Sequence, residues 1–223
     1  MVIQDNFGYI SCWNLEAILK INLDFYTADY DTIPLPGKPE GLIIKDNYLY
    51  ASIIMNTDWS NSNQVVKISL ANMSVENIYT VIEGPGPMLL SNSDLFISST
   101  YYDQTWNKYS GLSKIDLQSG IVQKINYGST TELVGDLLDI DGQLHRITGT
   151  GLVPVNSDLS FDLNGVVIDL KNIYSVISTE DKIIVGTTDF QAPDTVVVFN
   201  MSGNLEKEFV VGVLPGDIIS IKE

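Results

Sequence analysis

The sequence predicts an all-β fold built from five tandem units. The motif Asp-Asn-aromatic-x-Tyr-x-Ser occurs at residues 5–11 and again at residues 46–52. Lysines followed by isoleucine stand 47 residues apart, at Lys20, Lys67 and Lys114. No segment keeps the i, i+3, i+4, i+7 apolar spacing of a helix. Four-stranded units of about 40–45 residues are typical of β-propellers, so we predict a five-bladed β-propeller of four-stranded antiparallel blades.

Each predicted unit begins with a Pro- and Gly-rich segment that leads into a continuous apolar run. The clearest copies are residues 37–44, 84–90 and 212–219, and weaker copies are residues 134–138 and 172–177. A continuous apolar run is typical of a strand that is buried on both faces. These segments are therefore predicted to be the innermost strands of the blades.

The later strands of each unit are predicted from aromatic and β-branched residues with partial alternation. Pairs of turn-forming residues separate them at residues 46–47, 141–142 and 202–203. In the last unit, residues 195–199 occupy the place that the Lys-Ile strand has in the first three. Each unit therefore contains strands that are expected to become less buried with distance from the axis.

We place a single domain over the whole chain. The repeats are approximately residues 1–37 completed by 216–223, then 38–84, 85–133, 134–171 and 172–215. The fourth repeat is the least regular. Its stretch 149–164 is expected to be either a distorted blade edge or an interaction loop.

The two ends of the chain predict how the first blade is completed. Residues 216–222 repeat the first-strand motif, and residues 7–11 belong to a second strand. We expect the C-terminal strand to close the first blade, which removes an open sheet edge. Residues 2–4 also resemble the end of a first strand, such as residues 43–45. The two ends of the chain thus compete for the first-strand position of the first blade. The alternative to closure by the C-terminal strand is that the chain forms five blades of a longer propeller.

The charge balance limits the classes of partner. The chain has 12 Lys and Arg residues against 28 Asp and Glu residues, for a net charge of −16. This charge repels nucleic acid, and no basic cluster offers a local exception. No run approaches the roughly 20 apolar residues that span a bilayer. We therefore predict neither nucleic-acid binding nor membrane insertion.

Cys12 and His145 are the only residues of their kinds. One chain can form no disulfide framework and no Cys/His zinc site from them. A Ser-His-Asp triad would have to use His145, and no Gly-x-Ser-x-Gly elbow accompanies it. We expect His145 to be structural and Cys12 to be a small buried hydrophobic residue.

Composition favours a location outside the cytoplasm. Charged residues make up 18% of the chain, below the usual quarter, and Ser, Thr, Asn, Gly and Tyr are frequent. The N-terminus lacks a charged n-region and an apolar h-region, so we expect no signal peptide in this chain. We expect a periplasmic, cell-surface or secreted protein whose native gene carries the export signal.

Several segments resemble the YVTN/NHL-type bacterial β-propeller repeats. They are Pro-Glu-Gly-Leu at residues 39–42, Tyr-Leu-Tyr at 48–50 and Val-Val-Lys-Ile at 65–68. The resemblance spans most of the chain and is sharp in the second, third and fifth repeats. The Tyr-Val-Thr-Asn tetrapeptide itself is absent, and the fourth repeat is degenerate. The resemblance implies the fold and export, and it implies little about activity.

Large aromatic residues recur in the loops that join second and third strands. Trp59 and Trp106 each stand eight residues before the lysine of their unit, and Trp13 stands seven residues before its lysine. Phe190 stands eight residues before the matching valine of the last unit. Four of the five predicted blades thus carry an aromatic residue near one structural position.

Two interpretations of these aromatics remain open. They are stacking platforms, with Asp58 and Asp103 as neighbouring acceptors, for a sugar or for side chains of a partner protein. Alternatively, each aromatic packs over its own blade, since repeats also copy structural residues. The loops 56–64 and 101–110 are long and polar. Such loops have no structural reason to carry the two tryptophans, which makes these two the best candidates.

Three acids are predicted near the propeller axis. Glu40, Asp136 and Asp217 lie at or next to the start of an innermost strand. Converging carboxylates at this place would bind a hard cation such as calcium, or would serve as acid and base in glycoside hydrolysis. The alternative is that they are solvated acids of an acidic protein. No other metal or cofactor is predicted.

These observations predict a non-catalytic binding or scaffold propeller that is exported and recognises a glycan or a protein through the loops carrying Trp59 and Trp106. The alternative is a small glycosidase or metal-dependent hydrolase that uses the axial acids, so an enzyme is the less favoured class. A third possibility is a purely structural domain of a larger surface assembly.

Overall fold

The computed structural model describes residues 1–24, 29–132, 134–216 and 218. Strands, turns and irregular segments make up these residues, and none of them lies in a helix. Within them, accordingly, no helix is long and apolar enough to cross a membrane. The chain divides into two compact units, Met1–Ser129 and Thr130–Glu223. The placement of one domain over the whole chain stays a prediction.

The first unit contains three four-stranded antiparallel sheets in which the strands follow one another in chain order. The first sheet consists of β1 (Val2–Gln4), β2 (Phe7–Cys12), β3 (Ala17–Asn22) and β4 (Tyr30–Pro34). The second consists of β5 (Gly37–Lys45), β6 (Tyr48–Asn56), β7 (Asn61–Ser69) and β8 (Ser74–Thr80). The third consists of β9 (Pro85–Ser91), β10 (Asp94–Tyr102), β11 (Lys108–Asp116) and β12 (Val122–Ser129).

Two-residue hairpin loops join the first and second strands of these sheets. The first loop residue has a left-handed backbone at Asp5, Asp46 and Asn92, with φ of 51°, 55° and 54°. Asp and Asn tolerate this conformation better than other residues with a side chain. The repeated Asp-Asn pair of the sequence is therefore a turn requirement.

The three regularly spaced lysines have a common structural role. Each lies on the third strand of its sheet and reaches across to the residue that opens the second strand. The partner is an aromatic ring in two sheets and a carboxylate in the third. The Lys20 ammonium lies 4.0 Å from the centroid of the Phe7 ring, and that of Lys67 lies 3.6 Å from the centroid of the Tyr48 ring. The Lys114 ammonium lies 2.9 Å from Oδ2 of Asp94.

A buried serine ties the inner strands of two sheets together. The Ser52 hydroxyl accepts a hydrogen bond from the Gly41 amide at 2.9 Å and donates one to the Gly86 carbonyl at 2.8 Å. Gly41 lies on β5 and Gly86 on β9. A fully buried hydroxyl requires such partners, which explains Ser52, the serine that ends the second copy of the motif.

Apolar clusters fill the spaces between the sheets of the first unit. One cluster joins the first and second sheets and includes Ile18 and Leu49. Another joins the second and third sheets and includes Tyr50 and Ile97. Each fully buried aliphatic side chain of this size contributes roughly 1.5–3 kcal/mol, so the sheet faces hold the unit together.

The second unit contains two antiparallel sheets that share one apolar cluster. The fourth sheet of the chain consists of β13 (Leu137–Ile140), β14 (Gln143–Thr148) and β15 (Gly151–Pro154). The fifth consists of β16 (Ile173–Ser178), β17 (Lys182–Thr187), β18 (Asp194–Asn200) and β19 (Leu205–Val211). The prediction of an all-β chain with five antiparallel sheets is thereby confirmed.

The fourth sheet departs from the regular pattern at its outer edge. Pro154, which has no backbone N–H, ends β15. Two isolated bridges, Leu152–Ile168 and Val155–Phe161, stand where the other sheets have a fourth strand. The irregular stretch 149–164 is therefore a distorted sheet edge, one of the two alternatives that the sequence left open.

The first sheet has β1 as its innermost strand in the described structure. Val2–Gln4 pairs with residues 7–9 of β2. The predicted closing strand, residues 216–222, falls mostly on residues outside the described ones, since only 216 and 218 of this segment are described. Closure of the first blade by the C-terminus therefore stays a prediction.

Candidate functional site

Three of the predicted aromatic residues occupy one unusual backbone conformation. Trp59, Trp106 and Phe190 have φ of 68°, 64° and 66°. The left-handed region is disfavoured for bulky side chains, at roughly 1–2 kcal/mol per residue. Their side chains nevertheless project outward, with 61%, 81% and 60% of the residue exposed. The shared sequence position thus corresponds to a shared geometry.

Trp13 lies in the equivalent loop of the first sheet but in a different role. It follows β2 and is half-buried, and the left-handed residue of this loop is Glu16, with φ of 49°. The Trp13 and Trp59 rings contact edge to face, with centroids 6.3 Å apart and planes at 70°. The structure therefore joins two of the predicted aromatics into one pair.

A buried lysine lies beneath this pair. Lys38 is buried on β5, and its ammonium lies 4.1 Å from the centroid of the Trp59 ring. The same ammonium forms an ion pair with Glu16 at 3.1 Å. A desolvated cation over an indole face is attracted by the ring quadrupole. Lys38 therefore orients the Trp59 ring. The spacing of residues in the sequence did not indicate this contact.

Glu40 binds the other tryptophan of the pair. Its Oε2 accepts a hydrogen bond from the indole Nε1 of Trp13 at 2.9 Å. Protein atoms crowd this carboxyl group and raise the pKa of Glu40, while the bond from Trp13 opposes the rise. In the described structure this predicted axial acid is thus an anchor of the aromatic pair.

The turn that carries Trp59 is held by its own polar groups. The Trp59 amide donates to the Asn56 carbonyl at 3.1 Å, and the Asn56 amide donates to the Ser60 carbonyl at 2.9 Å. Asp58 accepts from the Ser60 amide at 3.0 Å and from its hydroxyl at 2.6 Å. These bonds hold the pKa of Asp58 below its ordinary value. Asp58 is therefore a structural residue of the turn.

Residues 156–160 form the same turn around a different side chain. The sequences are Asn-Thr-Asp-Trp-Ser and Asn-Ser-Asp-Leu-Ser, and five hydrogen bonds within the turn are the same in both. Leu159 has φ of 69° and is 2% exposed. The turn thus accepts either a buried leucine or an exposed tryptophan, so its geometry does not require Trp59.

Asp103 organises the loop that carries Trp106. Its carboxylate accepts hydrogen bonds from Thr105 and Asn107 and from the Tyr109 hydroxyl. The bonds from Asn107, followed by those from Thr105, hold the pKa of Asp103 well below its ordinary value. Like Asp58, this predicted acceptor is engaged inside its own loop.

Asn61 connects the loop of Trp59 with that of Trp106. Its side-chain amide donates to the Tyr102 carbonyl at 2.8 Å. Tyr102 is exposed, and its ring lies 6.2 Å from that of Trp106. We call Trp13, Trp59, Tyr102 and Trp106 the aromatic loop surface. Tyr102 was missed by spacing because it lies at the end of β10 and not at the repeated loop position.

Phe190 forms a separate aromatic pair in the second unit. Its ring meets that of Tyr174 edge to face, with centroids 6.4 Å apart. The Phe190 amide donates to the Thr188 hydroxyl at 2.9 Å. Each exposed left-handed aromatic of the described chain therefore contacts a second ring.

The predicted group of axial acids is only partly described. Glu40 lies in the first unit, Asp136 is half-buried in the second, and Asp217 lies outside the described residues. Among the residues that the structure describes, no three His, Cys, Asp or Glu side chains are grouped so as to hold a metal ion. Catalysis or calcium binding by the three acids stays a prediction.

The only histidine and the only cysteine of the chain both belong to strands. His145 is buried on β14 and its Nδ1 donates to the Gln143 carbonyl at 2.9 Å. Burial lowers the pKa of His145 below its ordinary value. Cys12 ends β2 as a free thiol and is half-buried, less than the sequence predicted.

Comparison with known proteins identifies the fold. No protein-family model and no curated protein sequence matches the chain, so the YVTN/NHL resemblance stays a prediction. Similar solved structures include the dihydro-heme d1 dehydrogenase NirN in complex with DHE, with a TM-score of 0.59 at 9% identity. The similarity covers 92% of this chain and 45% of that one.

A nidogen/laminin complex has a TM-score of 0.59 at 10% identity and covers 93% of this chain and 80% of that chain. The computationally designed Ika8 protein has a TM-score of 0.57 at 8% identity, over 93% of this chain and 72% of that chain. NirN and the nidogen/laminin complex are β-propellers in the matched regions. The chain therefore has the β-propeller fold, with its five sheets as the blades.

Proposed function

We propose that the chain is a non-catalytic binding or scaffold propeller that recognises a glycan or a protein through the aromatic loop surface. The observation that carries this proposal is the exposure of Trp59 and Trp106 at left-handed backbone positions. The left-handed backbone at each position costs folding free energy. Neither tryptophan is buried deeply enough for the hydrophobic effect to offset that cost in full. Strained residues persist where function uses them.

The matched turn around Leu159 strengthens this inference. It has the bonds and the backbone of the Trp59 turn, yet its side chain is buried. An aliphatic residue at this position is therefore sufficient for the turn to fold. The exposed indole of Trp59 is an addition to the turn, which supports a role in binding.

The geometry suits stacking recognition. The Lys38 ammonium lies against the Trp59 ring, and 61% of the residue remains exposed and available to a ligand. Indole rings offer a large apolar area with few rotatable bonds, and tryptophan is enriched where binding energy concentrates. The hydrogen bonds within the loops and through Asn61 pre-organise the rings, which reduces the entropy lost on binding.

A glycan array with matched variants tests the proposal. The binding variant is Trp59→Leu combined with Trp106→Ala, because leucine already occupies the equivalent turn position at residue 159. The control is Ile121→Ala, which removes an exposed apolar side chain elsewhere in the first unit. We expect the wild type and the control to bind the same glycans and the double variant to lose them.

Two results would count against this proposal. Retention of binding by the double variant would show that the ligand uses another surface. Absence of binding by the wild type would reject the glycan, and protein partners would then be sought by photo-cross-linking from position 106 of the otherwise unchanged chain. A cross-linked partner that also loses affinity for the double variant would identify a protein ligand.

We further propose that the protein acts outside the cytoplasm. The low share of charged residues, 18%, and the frequent Ser, Thr, Asn and Tyr residues support this location. Fractionation of the native host with an antibody to this chain tests it. Recovery in the cytoplasmic fraction alone would contradict the location and leave the binding proposal intact.

A further inference from the structure

A cavity of about 250 Å³ lies between the first sheet and the turns of the second. It is at the start of β2, whereas the loop that belongs to the aromatic loop surface follows the end of that strand. Its volume is below the roughly 300–1,000 Å³ of sites for drug-sized molecules, which suits a small ligand. Five of the side chains that line it are polar: Gln4, Asp5, Tyr9, Lys20 and Asn47.

Two opposite charges line this cavity without pairing to each other. Within the part of the chain that the structure describes, neither Lys20 nor Asp5 forms an ion pair. This includes Asp31, which lies opposite Lys20 on β4. The Lys20 ammonium lies 4.0 Å from the centroid of the Phe7 ring, which holds it in place. An ammonium has three N–H donors, so Lys20 can also bind an anionic group in the cavity.

The equivalent turn of the second sheet has an ion pair that the first sheet lacks. There Lys45 precedes the turn and pairs with Asp46 at 3.7 Å. In the first sheet Gln4 occupies the place of Lys45, so Asp5 has no such cation beside it. Gln4 Nε2 donates to the Asp46 carbonyl at 3.3 Å, while its Oε1 is buried and accepts no hydrogen bond. An unpartnered buried acceptor costs folding free energy, and a donor on a ligand would remove this cost.

The remaining wall supplies a hydroxyl and apolar surface. Burial, followed by the negative charge of Asp5, raises the pKa of Tyr9. The Tyr9 hydroxyl therefore stays protonated at neutral pH and is able to donate. Leu70 and Ala71 line the opposite side of the cavity from the second sheet. The Leu70 amide donates to the Asn47 carbonyl at 2.9 Å, which fixes this side.

We propose that this cavity binds a free α-amino acid as a zwitterion. The Lys20 ammonium binds the carboxylate of the ligand, and the Asp5 carboxylate binds its ammonium. Leu70 and Ala71 contact the side chain of the ligand. A neutral molecule of similar size, such as a monosaccharide, would cover both charges without neutralising either, and such desolvation is unfavourable. The two unpaired charges therefore select a ligand that carries both signs.

Isothermal titration calorimetry of the wild type with each standard L-amino acid as the probe tests the proposal. At least one is expected to bind with a Kd of about 1 mM or tighter. The N-acetyl derivative of that amino acid lacks the ammonium, and its amide lacks the carboxylate. Each derivative is expected to bind at least about tenfold more weakly. Failure of every amino acid to bind would overturn the proposal, as would a derivative that binds as tightly as its parent.

Matched variants locate the ligand in this cavity. Asp5→Asn removes the charge and keeps a residue that tolerates the turn, where φ is 51°. Lys20→Met removes the ammonium and keeps most of the apolar stem. Each variant, once shown to be folded, is expected to weaken binding about tenfold. The controls are Asp141→Asn, at the equivalent turn of the fourth sheet with φ of 52°, and Lys67→Met, at the equivalent position of the second sheet. Controls that weaken binding as much as the cavity variants, or cavity variants that bind like the wild type, would overturn the proposal.

Discussion

The ammonium of Lys38 lies 4.1 Å from the centroid of the Trp59 ring. Because Lys38 is buried and fixed by Glu16 at 3.1 Å, the cation covers one face of the indole and holds the ring in place. Of the whole Trp59 residue, 61% remains exposed. Trp59 is therefore a rigid platform rather than a freely rotating surface side chain.

The two partners of this ion pair are expected to respond unequally to mutation. Lys38 is the more deeply buried partner, with 6% of its side chain exposed against 31% for Glu16. Glu16→Gln leaves a buried ammonium without its counter-charge and is expected to cost about 2–3 kcal/mol. Lys38→Met leaves a carboxylate that water reaches and should cost about 1 kcal/mol. Urea denaturation measures both, and equal losses would contradict the asymmetry.

Trp106→Gly is expected to raise the free energy of unfolding by up to about 1 kcal/mol. The side chain is 81% exposed at φ of 64°, so its removal relieves strain and sacrifices little packing. Trp106→Ala keeps the strained backbone and serves as the control, with no gain expected. Thermal or urea unfolding of the three proteins decides the matter. A glycine variant no more stable than the alanine variant would show that the strain is absent.

Ser52→Ala is expected to destabilise the first unit by about 2 kcal/mol. The substitution removes the hydroxyl that bonds the Gly41 amide and the Gly86 carbonyl, and both groups lose their partner between two sheets. Ser119→Ala, at an exposed turn, is the control and should change stability by less than about 0.5 kcal/mol. Equal effects in urea denaturation would mean that the bridge between the sheets contributes nothing.

Stability is expected to fall as the pH drops below about 6.5, the ordinary pKa of histidine. Burial lowers the pKa of His145 in the folded chain, so the unfolded chain binds the proton first and acid favours unfolding. Above this pH both states are neutral and the histidine has no effect. As the chain has one histidine, His145→Gln should remove the slope between about pH 7 and about pH 5. A slope that persists in the variant would assign it to carboxylates.

The blade architecture was predictable because its causes are local. Asp-Asn pairs at residues 5–6 and 46–47 form turns, and the regular lysines reach the residue that opens the facing strand. The outer edge of the fourth sheet was not predictable in detail. There Pro154 ends a strand, and isolated bridges replace the regular ladder.

The candidate site was predictable in position and only partly in geometry. Spacing placed Trp59 and Trp106 in equivalent loops, since repeats copy a backbone position. It did not reveal the left-handed backbone, because a tryptophan in the sequence does not indicate a positive φ. Lys38 was also missed, because β5 brings it under Trp59 from a strand outside the loop. Contacts between strands distant in sequence are set by packing, not by local pattern.

The repeated turn at residues 56–60 and 156–160 has an evolutionary consequence. Its backbone is held by Asn, Asp and Ser side chains and by main-chain groups, and the fourth residue contributes no side-chain bond to it. One codon change at residue 59 can therefore alter the side chain that this turn exposes while the polypeptide still folds. Such a turn lets the exposed side chain diverge between descendants independently of the architecture that supports it.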